Sequence, residues 1–194
     1  FQDKFVYSPH VYGPTNTIQV WHLDSNFDFD LTLNSLYNKK WSFMFGFIHE
    51  QDLGHLFIGE WGGITRASDH SYLDTQVSGS WDLLKMYQGL PMDRPVPSNA
   101  VVTQASVDWL NAMASYIDDS QISHTYWSYN PNTDDTGGLL QNNWATWDES
   151  YYQIFEKSLW KENDKYVGLD HRVSLPGGTN VAELNGVNPA TQSG

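Results

Sequence analysis

The stretch Leu56-Phe57-Ile58-Gly59-Glu60-Trp61-Gly62-Gly63 limits this chain more than any other. Three apolar residues in succession predict a buried strand, which runs into a glycine, a single carboxylate, a tryptophan and two more glycines. A short apolar strand that delivers one acid at its carboxyl end, among small residues, is how parallel α/β barrels present reactive groups. Glycine on either side lets a ligand approach closely, and Trp61 offers an apolar wall. The competing reading is a strand-ending glutamate held in a salt bridge. This stretch alone leaves both open.

Before it, Phe5-Val6-Tyr7-Ser8-Pro9-His10-Val11-Tyr12-Gly13-Pro14 begins as a strand and ends at a Gly-Pro turn. His10 and Tyr12 are two apart, so in an extended segment they project from one face. Such a pair either holds a carboxylate by hydrogen bonds or packs and caps a loop. Residues 15–34 read as a polar loop spotted with aromatics, where Trp21 serves either as a stacking platform or as local packing. Asp24, Asp28 and Asp30 lack the ligand spacing and turn glycine of a calcium loop and read as a solvated face.

Leu36, Trp41, Met44, Phe45 and Ile48 recur at roughly helical spacing, predicting a helix over Leu36 to His49 that feeds the central strand. His49 and His55 flank the connection with no third ligand placed beside them, so they read as surface residues rather than a metal site. Residues 64–104 are polar, with Pro91, Pro95 and Pro97 breaking regular structure. An amphipathic helix follows over 106–117, with Trp109, Met113 and Tyr116 on one core-facing stripe. Ser123 to Pro131 reads as a strand, Asp134-Asp135-Thr136-Gly137-Gly138 as turns, and Glu149 to Trp160 as a last helix. The tail, 161–194, is rich in Gly, Asn, Pro and Ser/Thr and reads as a short element, a linker or a disordered segment.

Strand and helix thus alternate, which predicts an α/β fold with a parallel sheet and helices outside. Three such units cannot close an eight-stranded barrel, and an isolated three-stranded sheet leaves two unpaired edges. Something must supply the rest. The chain has 194 residues, enough for one domain, and opens on Phe1 rather than Met, as a processed or excised piece would. No apolar run reaches the length of about eighteen residues that a membrane span needs. A net charge of −13 with ten dispersed basic residues argues against nucleic acid or an anionic membrane as partner. Nine tryptophans, eleven tyrosines and nine phenylalanines suit a binder of sugars. With no cysteine, there is no disulfide framework and the redox compartment stays undetermined.

Taken together, Tyr7-Ser8-Pro9-His10-Val11-Tyr12, Ile58-Gly59-Glu60-Trp61-Gly62 and the long run from Tyr126 to Leu140 resemble the C-terminal half of the family-five glycoside hydrolases, nearest to their endo-β-1,4-glucanases, the cellulases. The resemblance spans about residues 5–160, in order. It implies a partial (β/α)8 TIM barrel, strands six to eight with their helices, over 1–160, followed by a tail or linker at 161–194. Carried over position by position, it makes His10 and Tyr12 the strand-six pair, Glu60 the strand-seven nucleophile and Trp127 the strand-eight sugar platform. Trp61, Asn130 and Trp21 follow as further cleft residues. The implied activity is retaining hydrolysis of a β-1,4-glucan, outside the cell because the polymer cannot enter one, and without metal or cofactor. The family's Asn-Glu pair, which carries the acid/base, has no counterpart in this sequence. The implied partners are therefore a β-glucan polysaccharide or oligosaccharide and an N-terminal half of the barrel. The alternative is a non-catalytic carbohydrate-binding or remnant half-barrel.

Overall fold

A computed structural model describes residues 5–66 and 73–158, and the tail at 161–194 lies outside them. Its centre is a strand, β3, His55–Gly62, flanked on one edge by β1, Val6–Tyr7, and β2, His10–Tyr12, and on the other by β4, Ser123–Tyr126. All pairings are parallel, so the α/β expectation holds.

An irregularity in β3 decides which side chains go where. From Tyr7 to His10 the edge strands advance three positions while β3 advances four, from Leu56 to Glu60. On the other side β4 advances two, His124 to Tyr126, while β3 advances three, Ile58 to Trp61. Both neighbours therefore meet one extra residue in β3, a bulge at Gly59-Glu60. A bulge shifts the inward/outward alternation by one. Leu56, Ile58 and Trp61 consequently share one buried cluster although their numbering breaks period two. Glu60 is released to the opposite face.

Helices cover the buried face. The first helical segment runs from α1, Leu33–Leu36, through a π-helical stretch, Tyr37–Gly46, into α2, Phe47–Glu50. The five-residue step from Leu36 to Trp41 fits the wider π turn and keeps both inward, 0% and 2% exposed. Met44, expected on that stripe, faces outward at 42%. The polar segment after Gly63 contains a helix the proline count concealed: α3, Leu73–Tyr87. Leu73, Val77, Trp81 and Leu84 lie on its buried side against Ile18, Ile64 and Leu90, and all three prolines fall beyond its end.

The helix expected at 106–117 is longer, α4, Asn99–Ser120. Ser98 caps its start, its side chain accepting from the Val101 amide, and Gln121 ends it in the left-handed region at φ 53°. Trp109, Met113 and Tyr116 lie on its buried stripe as anticipated, each 1% exposed or less, against Trp41 and Trp61. Each large side chain so buried contributes about 1.5–3 kcal/mol. The last strand is shorter than the sequence suggests and stops at Tyr126. The last helix, α5, Glu149–Phe155, passes into a single 3-10 turn, Glu156–Ser158.

Two histidines are sealed into this frame. His22 is 1% exposed, and its Nδ1 accepts the Gln19 amide at 3.1 Å. Burial, and then the Lys40 cation, lowers its pKa to about 3 from the usual 6.5. His124 Nδ1 accepts the Trp61 indole N–H at 3.0 Å, and its Nε2 faces the Ser158 carbonyl at 3.2 Å; burial lowers its pKa too. On unfolding each imidazole regains its usual affinity for a proton, so the unfolded state binds more protons below pH 6.5. The stability they protect is present above that pH and falls as acid is added, with a slope of up to about 1.4 kcal/mol per pH unit for each histidine. Denaturant melts from pH 7 to pH 4 should show this loss, and a His22→Asn variant should show a shallower slope over the same range.

Candidate active site

Gathered at the carboxyl end of β3 are the three residues singled out for chemistry. The β2–β3 register sets His10 directly opposite Glu60 and Tyr12 opposite Gly62. The Tyr12 hydroxyl donates to Glu60 Oε2, and His10 Nδ1 stands 3.4 Å from the same oxygen. The Glu60 side chain is 28% exposed, reachable from solvent yet held on one side. Burial, then the hydrogen bond with Glu60 and the charges of Glu60 and Asp135, push the Tyr12 phenol well above its usual range. Tyr12 therefore remains a donor throughout the working range of proteins.

The packing around the bulge depends on missing side chains. A Cβ on Gly62 would stand 2.3 Å from the Trp127 carbonyl oxygen, and one on Gly59 would stand 2.2 Å from Ser8 Oγ. Glycine at these positions lets neighbouring strands close on β3.

Trp127 follows β4 at that junction; its amide donates to the Trp61 carbonyl at 2.9 Å, and its ring is 43% exposed. Trp21, in a 3-10 turn at Val20–His22, is 39% exposed. With His10 and Tyr12 it lines a cavity of about 150 Å³ backed by Trp41 and Trp109. Trp61 is a correction. It is 0% exposed, turned by the bulge into the core, and packs edge-on to Tyr126 with ring centres 5.1 Å apart. It therefore cannot serve as a cleft wall. Asn130 is half-buried: its amide donates to Asn132 Oδ1 at 2.7 Å and Thr133 Oγ1 at 2.9 Å, and its Oδ1 accepts from Ser128 at 2.9 Å. It builds the turn after Trp127.

Sequence reasoning missed Asn16 and Asp135, which join at 3.2 Å beside Tyr12 and bring a carboxylate into its field. Only the turn composition around Asp135 marked that segment, and no local pattern pairs two loop residues so far apart. His49 and His55 are both exposed, as read.

A solvent-reachable carboxylate at the tip of a parallel strand, gripped by a tyrosine and a histidine of the adjoining strand, belongs to the α/β class whose chemistry sits at strand carboxyl ends. The chain is a member of glycosyl hydrolase family 5, the cellulase family, whose model matches residues 2–133. It is 33% identical over 173 residues to Endoglucanase G of Acetivibrio thermocellus, covering 89% of this chain and 23% of that protein. It is 30% identical over 145 residues to an endoglucanase of Paenibacillus polymyxa, covering 75% and 26%. Among solved structures, a cellulase–inhibitor complex superposes with a TM-score of 0.53 at 25% identity, over 81% of this chain and 32% of that one. The chain thus spans about a quarter of the curated relatives' length.

The close approach at Gly62 can be tested directly. Gly62→Ala should destabilise the fold by about 1–3 kcal/mol in denaturant melts, because the obstacle is backbone rather than a flexible side chain.

Proposed function

We propose that residues 1–160 supply strands six to eight, with their helices, of a (β/α)8 glycoside hydrolase barrel that cleaves β-1,4-glucan with retention. The observation that carries this reading is the Tyr12–Glu60 hydrogen bond, with His10 3.4 Å from the same oxygen. Glu60 is the nucleophile. It attacks the anomeric carbon, and the leaving oxygen takes a proton from a second carboxyl group across the cleft, about 5–5.5 Å away in retaining enzymes. Tyr12 and His10 fix the carboxylate rotamer, so that its free oxygen meets the sugar at a set angle. Trp127 forms the floor for the reacting sugar, and Trp21 borders the cleft beside His10 and Tyr12.

The second carboxyl group belongs to an N-terminal half of the barrel, as another chain or another part of this protein. In support, Phe5 and Val6 at β1 are each 58% exposed, and β1/β2 and β4 are the sheet's two edges among the described residues. A parallel sheet is stable when both faces and edges are covered. A chain of glucose units is too large to enter a cell, so the enzyme acts outside it. The lack of an Asn-Glu pair favours one rival, a half-barrel that binds glucan without cleaving it.

Mixing the chain with the N-terminal half of a family-5 catalytic domain should yield reducing sugar from carboxymethyl cellulose, and the chain alone should yield little. Glu60→Gln should lower that turnover at least a thousandfold, and a 2-fluoro-cellobioside should label Glu60 by mass spectrometry. Turnover by the Gln variant, or a label elsewhere, would remove Glu60 from the role. Tyr12→Phe removes a hydrogen bond to a charged group, an interaction of about 1.5–3 kcal/mol, so kcat should fall about tenfold to a hundredfold with KM little changed.

A further inference from the structure

Two loops are fastened to each other across the carboxyl end of β3. Trp61 pairs with Val11 of β2 on one side and with Tyr126 of β4 on the other, so those two strands flank β3. Asn16 follows β2 and Asp135 follows β4, yet the Asn16 side-chain amide donates to Asp135 Oδ2 at 3.2 Å. The link therefore spans the strand that carries Glu60. Each of its ends is anchored separately. Asn16 sits in the turn after β2, where its backbone amide donates to the Gly13 carbonyl at 3.1 Å and the Gly13 amide donates to the Gly62 carbonyl at 2.9 Å. Asp135 sits in the turn after β4, where the Gly137 amide donates to the Thr133 carbonyl at 2.8 Å with Gly137 at φ 66°. Its neighbour Thr136 is fully buried; the Thr136 carbonyl accepts the Tyr151 hydroxyl at 3.1 Å, and its methyl would stand 3.1 Å from a Cβ on Gly62. Gly62 is the register partner of Tyr12. Asn16 also shares with His10 and Tyr12 the wall of the cavity beside the carboxylate.

We propose that Asn16 and Asp135 are positioning residues, a clasp that holds the Tyr12 hydroxyl on Glu60. The inference rests on the reading of Glu60 as nucleophile and adds what keeps its hydrogen-bond donor in place. A tyrosine at the end of a strand has two side-chain torsions that can turn its ring away. Joining the loops on both sides of β3 restricts that freedom before a substrate arrives. The charge of Asp135 acts in the same direction. Burial of Tyr12 opposes loss of the phenolic proton first, then the hydrogen bond and charge of Glu60, then the charge of Asp135. Asp135 thus helps to keep Tyr12 a donor and its proton directed at Glu60. An amide partner suits this arrangement. Asn16 gives the half-buried Asp135 a charge-assisted hydrogen bond yet leaves its negative charge uncancelled, which a lysine or arginine at the same place would not.

Nitration of the whole chain by tetranitromethane at about pH 8 tests this, because the reagent attacks the phenolate and an ordinary tyrosine supplies some at that pH. Tyr87, 70% exposed at the end of α3, is the internal reference, and peptide mass mapping reads each site. In the parent, Tyr12 should be modified at least tenfold more slowly than Tyr87. Asp135→Asn, which removes the charge, and Asn16→Ala, which removes the link, should each raise Tyr12 relative to Tyr87 at least threefold. The exchanged pair Asn16→Asp, Asp135→Asn should restore the parent ratio. In the mixture with the N-terminal half, Asn16→Ala should lower kcat about threefold to tenfold with KM little changed, and should have no further effect in a Tyr12→Phe background. The nitration ratio is read on the chain alone, so it decides the clasp whether or not Glu60 is the nucleophile. Equal nitration of Tyr12 and Tyr87 in the parent would overturn the proposal. Unchanged ratios in both single variants would do the same, as would a loss of kcat that adds in full to that of Tyr12→Phe, assigning the pair to loop stability.

Discussion

One extra residue in β3 governs this structure. Without the bulge at Gly59-Glu60, strict alternation would place Glu60 on the same side as Leu56 and Ile58, under the helices, and would turn Trp61 to the open face. A carboxylate buried among Ile58, Met113 and Trp109 would face a desolvation cost of several kcal/mol. The bulge exchanges the two: the indole goes to the core and the acid to the face where His10 and Tyr12 project. Both flanking strands register the same offset, so neither can slip without moving the site.

The core on the helix side keeps that geometry in place. Trp61 is fixed by its indole N–H to His124, by Tyr126 edge-on, and by the α4 stripe behind it. Behind the strand ends, Ser106 of α4 joins Thr15 at 3.1 Å, and Thr15 in turn accepts the Ile64 amide at 2.9 Å. The loop after β2 and the loop after β3 are thereby tied to one helix. Polar atoms are bonded where the strands end, and apolar surface is packed where they run. The carboxylate therefore sits on a rigid element, which chemistry at a fixed distance requires.

How much of this was legible beforehand differs element by element. The Leu56–Gly63 stretch announced a strand ending in an isolated acid, and the His10/Tyr12 spacing announced one shared face; both readings match the coordinates because they depend on local period and on glycine. Helix α3 escaped because prolines beyond its end dominated the reading of a segment whose four inward apolar residues already followed helical spacing. Trp61 was misplaced for a different reason. A period-two reading puts it on the face of its odd-numbered neighbours, and only pairing with two other strands reveals the extra residue.

By itself, then, the sequence determined that a lone acid stands on a strand among small residues that permit close approach, that His10 and Tyr12 share a face, and that helices and parallel strands alternate. Such properties follow from side-chain type and spacing along one segment. The tertiary structure decided which face each residue takes across the bulge, that Tyr12 and His10 converge on one oxygen of Glu60, and that Asn16 meets Asp135 beside them. Those outcomes depend on register between strands and on loops brought together from distant parts of the chain. Neither is encoded in any single window of residues.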